Sequence, residues 1–248
     1  MTDTTRPTHS HRPPLIIGLC GLAGVGKDTV AQLLATHCGA TRIAFADALR
    51  AEICTAYSLD PVYLTRRETK EHPITALALS RCLDGRFVQR MRSHFASGLR
   101  PGGMVGEEID LDAPRSPRQI MQWWGTEYRR AQCPWYWVSR AHEACRHAMA
   151  QGATTIVLTD VRAANEAALL RAYSGSLWQI KRPGYMAASQ LGHTSEVDGS
   201  AFAPDAVINN RHDIGHLQHR VLSTYADLLC TPQPMRACAS TQPTYPTQ

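Results

Sequence analysis

The sequence predicts an α/β fold in which a parallel sheet is covered by helices on both faces, and three observations carry that prediction. Residues 15–20 (LIIGLC) and 154–159 (TTIVLT) are short apolar runs rich in branched side chains, the pattern of strands buried on both faces. Segments whose apolar residues recur at helical spacing separate such runs, and strands separated by helices pair in parallel. The first run ends in a glycine-rich turn, GLAGVGKDT at 21–29, that opens directly into a helical pattern. Ligands of such sheets bind at the carboxyl ends of the strands, so this turn lies where a site is expected.

The elements follow in order. Residues 1–14 are polar and proline-bearing and are expected to form a disordered tail. After the first strand, Val30, Leu33, Leu34 and Cys38 fall on one helical face. Residues 41–46 (TRIAFA) read as a second short strand, and 47–57 as a helix opened by Asp47 as an acidic cap. The charged segment LTRRETKEHP precedes a helix expected over 73–79, where proline is tolerated in the first turn. GRFVQRMRSHFASG reads as a further helix. Residues 98–114 read as a loop, whose length inside a compact domain points to function or motion. The next helix starts near Ser116-Pro117 with Ser116 as cap, and carries Ile120, Trp124 and Tyr128 at spacing four; Gly125 weakens its middle. Pro134 opens another helix, with Val138, Ala141, Cys145 and Ala148 on one face, which ends at Gly152. A helix over 162–173, a strand in SLWQIKR, a short strand over 205–209 and a last helix over 214–229 complete the pattern. The stripe of that last helix is Ile214, Leu217, Val221, Tyr225 and Leu228. Residues 231–248, rich in proline, threonine and glutamine, are expected to be disordered. One domain over 15–230 results, with 47–115 as a mostly helical insertion.

Composition narrows the function. The 248 residues are 44% hydrophobic and 19% charged, enough for one large globular domain. A net charge of +5 suits polyanionic small molecules and nucleic acid alike. The arginines are dispersed and no basic run alternates with aromatics, so no direct nucleic-acid partner is expected. No run of about 18 apolar residues is present, so no membrane span is expected. The first residues lack the apolar segment of a secretory signal. The eight cysteines are scattered, without a Cys-x-x-Cys pair, and read as free thiols in a reducing cytoplasm. His212, His216 and His219 share a helical face, but no cysteine or carboxylate completes a metal set, and they read as a polar surface.

The turn after the first strand has the spacing of a phosphate loop, Gly21-x4-Gly26-Lys27. Glycines let the backbone approach phosphate without a Cβ in the way. Amides at the start of the following helix then face the anion, and a lysine supplies a point charge to the outer phosphates. Gly21, Ala23, Gly24, Val25, Gly26, Lys27, Asp28 and Thr29 are the expected phosphate-binding set. Asp28 stands where serine or threonine normally ligates magnesium. A carboxylate is also a hard oxygen ligand, so Asp28, Thr29 and Asp160 are the candidate metal ligands. Asp160, after an apolar strand, also reads as a cap for the helix beginning near Arg162, and the two roles coexist. Phosphoryl transfer needs charge neutralised in the transition state, which directs attention to arginines. Arg162 follows the strand end. Arg129 and Arg130 lie beside Trp123, Trp124 and Glu127, Arg118 near a helix start, and Arg50, Arg66 and Arg67 after the second strand. The tryptophans read as packing groups ahead of base-stacking groups.

With these residues in hand, the sequence resembles the bacteriophage-type deoxynucleoside monophosphate kinases, within the P-loop nucleoside and nucleotide kinases, over about residues 15–229. The resemblance lies in GLAGVGKDT, FADALR, SPRQIMQWWGTEYRR with WYWV, TDVRAANE, and HTSE before DAVINN. The family usually has a bulky apolar residue and proline where this chain has Ala163-Ala164. The resemblance implies a P-loop NTPase fold, ATP and magnesium as cofactors, and transfer of the γ-phosphoryl of ATP to a nucleoside 5′-monophosphate. It implies that Lys27 and the loop amides hold the donor phosphates, and that Asp28 and Thr29 hold magnesium. Arg130 and Arg162 would neutralise the transferred group or the acceptor phosphate, with Asp160 in the catalytic set. Asp47, Arg50, Arg66, Arg67, Trp124, Glu127, Asn165 and Glu166 would serve the acceptor. The segment 98–114 would be part of a moving cover. It also implies a cytoplasmic protein, in the host cytoplasm if phage-encoded. Two other readings stay open: a kinase of another small phosphorylated acceptor, of the dephospho-coenzyme A or phosphomevalonate type, and a non-kinase P-loop ATPase or nucleotide-binding protein.

Overall fold

The computed structural model describes residues 13–66, 68–97, 108–184 and 203–231. In chain order its elements begin with β1 (Leu15–Cys20), α1 (Lys27–Cys38), β2 (Thr41–Ile43), α2 (Phe45–Tyr57), α3 (Val62–Thr65) and α4 (Gly85–Ala96). There follow α5 (Pro117–Gln122), a π-helix (Trp123–Arg130), α6 (Tyr136–Ala150), β3 (Thr155–Leu158), α7 (Ala164–Ala172), β4 (Ser176–Lys181), β5 (Ala206–Asn209) and α8 (Ile214–Cys230). The chain divides into two compact units, one made of the residues up to Ile43 and those from Ala144 onward, the other of Ala44–Glu143.

The first unit holds a five-stranded sheet in the order β2-β3-β1-β4-β5, with every neighbouring pair parallel. β1 is central and buried along its length, as its unbroken apolar run requires. Successive side chains of a strand face opposite sides. Ile17 and Leu19 therefore join Val30 and Leu34 of α1 and Leu217 and Val221 of α8 in one core. Gly18 faces the other way, where Leu170 of α7 packs so close that a Cβ would lie 2.6 Å from its Cδ2. Helices thus cover both faces, as the pattern predicts. Among the described residues no helix is long and apolar enough to cross a membrane. The cysteines described are free, and burial lifts the Cys145 thiol to about 12, so it acts as a small hydrophobe.

The second unit is helical, around Ile53, Leu77, Leu79, Phe87, Met91, Ile120, Trp124 and Tyr128. Trp124 is 1% exposed and lies 4.5 Å, centroid to centroid, from Phe87. The helix that Ser116 caps begins where expected, with Ser116 Oγ accepting from the Gln119 amide at 3.2 Å. It then widens into the π-helix. Gly125 is no weak point there: it is buried, Leu49 sits 3.6 Å from where its Cβ would be, and its carbonyl accepts from the Trp137 indole at 3.1 Å.

Several boundaries differ from expectation. The strand expected over 41–46 ends at Ile43, and α2 starts at Phe45, because Asp47 acts from the helix's first turn, its carboxylate accepting from the Ala44 amide at 2.8 Å. In place of a helix over 73–79 there are two 3-10 turns, Thr75–Leu77 and Leu79–Arg81, beside a bridge between Ile74 and Arg115. The helix after Pro134 starts at Tyr136, and the one expected over 162–173 is Ala164–Ala172. Ile214 is 59% exposed and leaves the buried stripe of α8. The tails (1–12 and 232–248), the 98–107 part of the expected cover, Arg67 and the HTSE segment lie outside the described residues.

Candidate phosphate-binding site

The loop between β1 and α1 turns on three glycines of positive φ, Gly21, Gly24 and Gly26, and the first and last also meet neighbours closely. Gly21 has φ 129° and Gly26 φ 108°, values that L side chains rarely adopt. Both also lack room for a side chain: a Cβ would lie 2.4 Å from the Ile180 carbonyl oxygen at Gly21, and 2.6 Å from the Asn210 amide nitrogen at Gly26. Gly26 is the N-cap of α1 and offers no side-chain acceptor, which leaves the first-turn amides of that helix for an anion. Lys27, 8% exposed, is the first residue of α1. Its ammonium folds back on the loop, donating to the Gly21 carbonyl at 2.7 Å and the Leu22 carbonyl at 3.0 Å. Asp160 Oδ1 lies 3.5 Å from the same nitrogen.

Asp160 reaches that place through the sheet. β3 runs beside β1, and just beyond its end the Val161 amide donates to the Leu19 carbonyl at 2.9 Å. This brings the residues after β3 alongside the start of the loop. Asp160 Oδ2 accepts from Arg162 Nε at 2.8 Å, whereas Oδ1 is buried without a hydrogen bond. A buried carboxylate oxygen that makes no hydrogen bond fits a hard cation, so the residues present fit magnesium. Asp160 would hold it together with Asp28 and Thr29, which are exposed on the first turn of α1.

The cap of α7 is Glu166. It is 4% exposed, and its carboxylate accepts from the Arg162 amide at 2.7 Å and the Ala163 amide at 3.0 Å. The capping alternative for Asp160 is therefore corrected: Glu166 Oε2, not Asp160, receives the amides at the start of α7. Asn165 is half-buried one residue earlier. If Asp28 is a metal ligand, Asp28→Asn raises the magnesium concentration for half-maximal turnover by roughly tenfold and changes metal-free ATP binding much less. A magnesium titration identical to wild type would remove Asp28 from the ligand set.

In the helical unit the expected acceptor residues occupy different situations. Asp47 accepts from Arg50 Nη1 at 3.0 Å, and Arg50 Nε is buried without a partner. Arg66 is exposed at the end of α3. The Glu127 carbonyl accepts from Arg90 at 2.9 Å, and its carboxylate lies 3.8 Å from His94 Nδ1. Trp124 belongs to the core, which corrects its assignment to the acceptor: it has no face open to a base.

Reading the sequence alone missed two residues. Glu52 of α2 accepts from the Trp124 indole at 2.9 Å, from Arg129 Nε at 2.8 Å and from the Tyr136 hydroxyl. Burial and that last bond push the Tyr136 phenol up to about 12. The signal was a carboxylate on the apolar stripe of Leu49, Ile53 and Ala56, where a charge needs a partner. The network separates the Arg129-Arg130 pair. Arg129 is held over the rings of Tyr128 (4.5 Å) and Tyr136 (5.0 Å), and Arg130 is exposed. The second missed residue is Asn210, after β5, whose side-chain amide donates to the Val25 carbonyl at 2.9 Å.

A parallel sheet with a phosphate loop after its central strand and a carboxylate at the end of the neighbouring strand defines a P-loop α/β protein. No protein-family model matches the chain, and no curated protein matches it. Solved structures similar to it include dephospho-CoA kinase from Campylobacter jejuni, at 13% identity and TM-score 0.43, covering 86% of this chain and 96% of that one. A sugar kinase from Janibacter sp. has 16% identity and TM-score 0.42, with 87% and 95% covered. TT1252 from Thermus thermophilus has 16% identity and TM-score 0.43, with 88% and 99% covered. At these values the reading of the site rests on the geometry of the chain itself.

Proposed function

We propose that the protein is an ATP-dependent phosphotransferase that moves the γ-phosphoryl group to a nucleoside 5′-monophosphate, preferentially a 2′-deoxynucleotide, giving the diphosphate and ADP. The observation that carries the phosphotransfer reading is Lys27: a buried ammonium inside a glycine-shaped loop, 3.5 Å from a carboxylate at the next strand end that also bonds an arginine. In this reading an oxygen of the acceptor phosphate attacks the γ-phosphorus and the bond to the β,γ-bridging oxygen breaks. Lys27 leaves its loop carbonyls for the donor phosphates, while the first-turn amides of α1 orient them. Arg162 neutralises charge as it spreads over the transferred oxygens. Magnesium, when bound, screens the donor phosphates. Glu166 holds the backbone from which Arg162 projects.

The acceptor assignment rests on the resemblance carried by GTEYRR and TDVRAANE. Asp47, Arg50, Arg66, Arg67, Glu127, Arg130 and Asn165 belong to it. The buried, partnerless Nε of Arg50 supports that residue in particular, since such a donor favours an anionic ligand. The test is a diphosphate-formation assay with ATP and magnesium over the common ribo- and deoxynucleoside monophosphates, with an acceptor-free control. At least one deoxynucleotide should stimulate ADP release about a hundredfold or more over the control, as expected when bound acceptor replaces water. Folded protein that binds ATP and phosphorylates no monophosphate would sink the acceptor assignment. Transfer to another phosphorylated small molecule would redirect it.

A further inference from the structure

The phosphate loop is gripped from the outer half of the sheet, and the grip has two points. The end of β4 presents the Ile180 carbonyl against Gly21, close enough to forbid a Cβ there. The residue after β5, Asn210, presents its side-chain amide to the other limb of the loop. It donates to the Val25 carbonyl at 2.9 Å and fills the space beside Gly26. Asn210 is itself anchored, its backbone amide donating to the Lys181 carbonyl at 2.7 Å. The contact joins residues 185 positions apart in sequence, so it is tertiary and no property of the loop alone.

The Val25–Gly26 peptide is a strategic place to hold. Its carbonyl belongs to Val25 and its N–H to Gly26, and the next amide belongs to Lys27. Fixing the carbonyl toward Asn210 fixes the opposite face of the peptide, and with it the direction in which the loop amides point. Gly26 at φ 108° has few steric restraints of its own, so without an outside partner this peptide has other orientations open to it.

From this we infer that Asn210 is a positioning residue of the nucleotide site: its amide preorganises the Val25–Gly26 peptide for the donor's phosphate chain. The inference rests on the assignment of the loop to a nucleoside triphosphate. Asn210 acts through the loop, so its loss weakens donor binding without touching the acceptor.

The experiment is calorimetric titration of wild type, Asn210→Ala and Asn210→Asp with ATP and with inorganic tripolyphosphate, beside melting temperatures measured without ligand. Asn210→Asp keeps the size of the side chain but replaces the donor by a charge that repels both the Val25 carbonyl and phosphate. Expected are a roughly tenfold weaker Kd for both ligands in Asn210→Ala and a larger loss in Asn210→Asp, the scale of one missing hydrogen bond with its preorganisation. The KM for ATP should rise in parallel, with the KM for the acceptor unchanged and kcat within about threefold of wild type. A lower melting temperature with unaltered Kd in either folded variant would reduce Asn210 to a structural residue and overturn the inference. Weakening for ATP but not for tripolyphosphate would also overturn it, since it would place Asn210 on the nucleoside. Failure of the wild type to bind ATP would instead remove the reading of the loop on which the inference stands.

Discussion

Lys27→Ala is expected to lower phosphoryl transfer by about a thousandfold while leaving a folded protein, because its ammonium is held against the loop by the Gly21 and Leu22 carbonyls, where the donor phosphates are proposed to lie. The loss has two parts. The donor phosphates of the proposed reaction lose the charge of this ammonium, and Asp160 loses the cation 3.5 Å from its buried oxygen. Asp160 keeps the bond from Arg162, which bounds the structural damage. A stability decrease of about 1–3 kcal/mol is expected from the orphaned loop carbonyls and carboxylate. Lys27→Met, which keeps the aliphatic stem, should recover part of that stability and none of the activity. Steady-state kinetics on variants whose folding is verified by circular dichroism decides the matter. Turnover within a few-fold of wild type would end the assignment of this loop to phosphoryl transfer.

The second large effect is expected at Arg162. Its guanidinium is held by Asp160, and its amide by Glu166, so side chain and backbone are both fixed before any ligand arrives. Such preorganisation is useful where charge develops in the transition state and is of little use for ground-state binding. Arg162→Ala should therefore reduce kcat by about a hundredfold or more with little change in the Kd for ATP. Arg162→Lys should restore the charge but not the fork geometry, giving only partial recovery. An equal fall in kcat and ATP affinity would place Arg162 on the ground-state donor instead. An unchanged kcat would remove it from the mechanism.

Most of the sheet and the glycine-rich loop with its lysine were legible in the sequence, and the particular residues explain why. β1 and β3 show as unbroken apolar runs because strands covered on both faces tolerate no alternation. The loop shows because three needs, a turn, an approach without Cβ and a charge, fall within nine consecutive residues. Ser116 shows as a cap because capping is a contact over three residues. Boundaries were less legible where a side chain acts from inside a helix. Asp47 and Glu166 each bond backbone amides that precede them, so the helix starts before the residue that caps it. The helical unit was legible only in part. Its 3-10 turns and π-helix carry no periodicity to distinguish them from α-helix, and Gly125 reads as a defect until Leu49 and Trp137 are seen against it.

By itself, then, the sequence determined the parallel α/β class, the phosphate loop with Lys27, and the strand-end pair Asp160 and Arg162. All of these are encoded in short segments whose periodicity or spacing repeats the local geometry. The tertiary structure alone decided which like residues do unlike things. Of the adjacent arginines, Arg129 is bound to Glu52, 77 positions away, while Arg130 is exposed. Of the carboxylates after β3, Glu166 serves the backbone and Asp160 keeps a buried oxygen unbonded. The limb of the loop at Val25 is held by Asn210, 185 positions away. The physical reason is common to all three. A side-chain hydrogen bond or ion pair depends on where its partner lies in space, and once the partner is distant along the chain no local pattern records it.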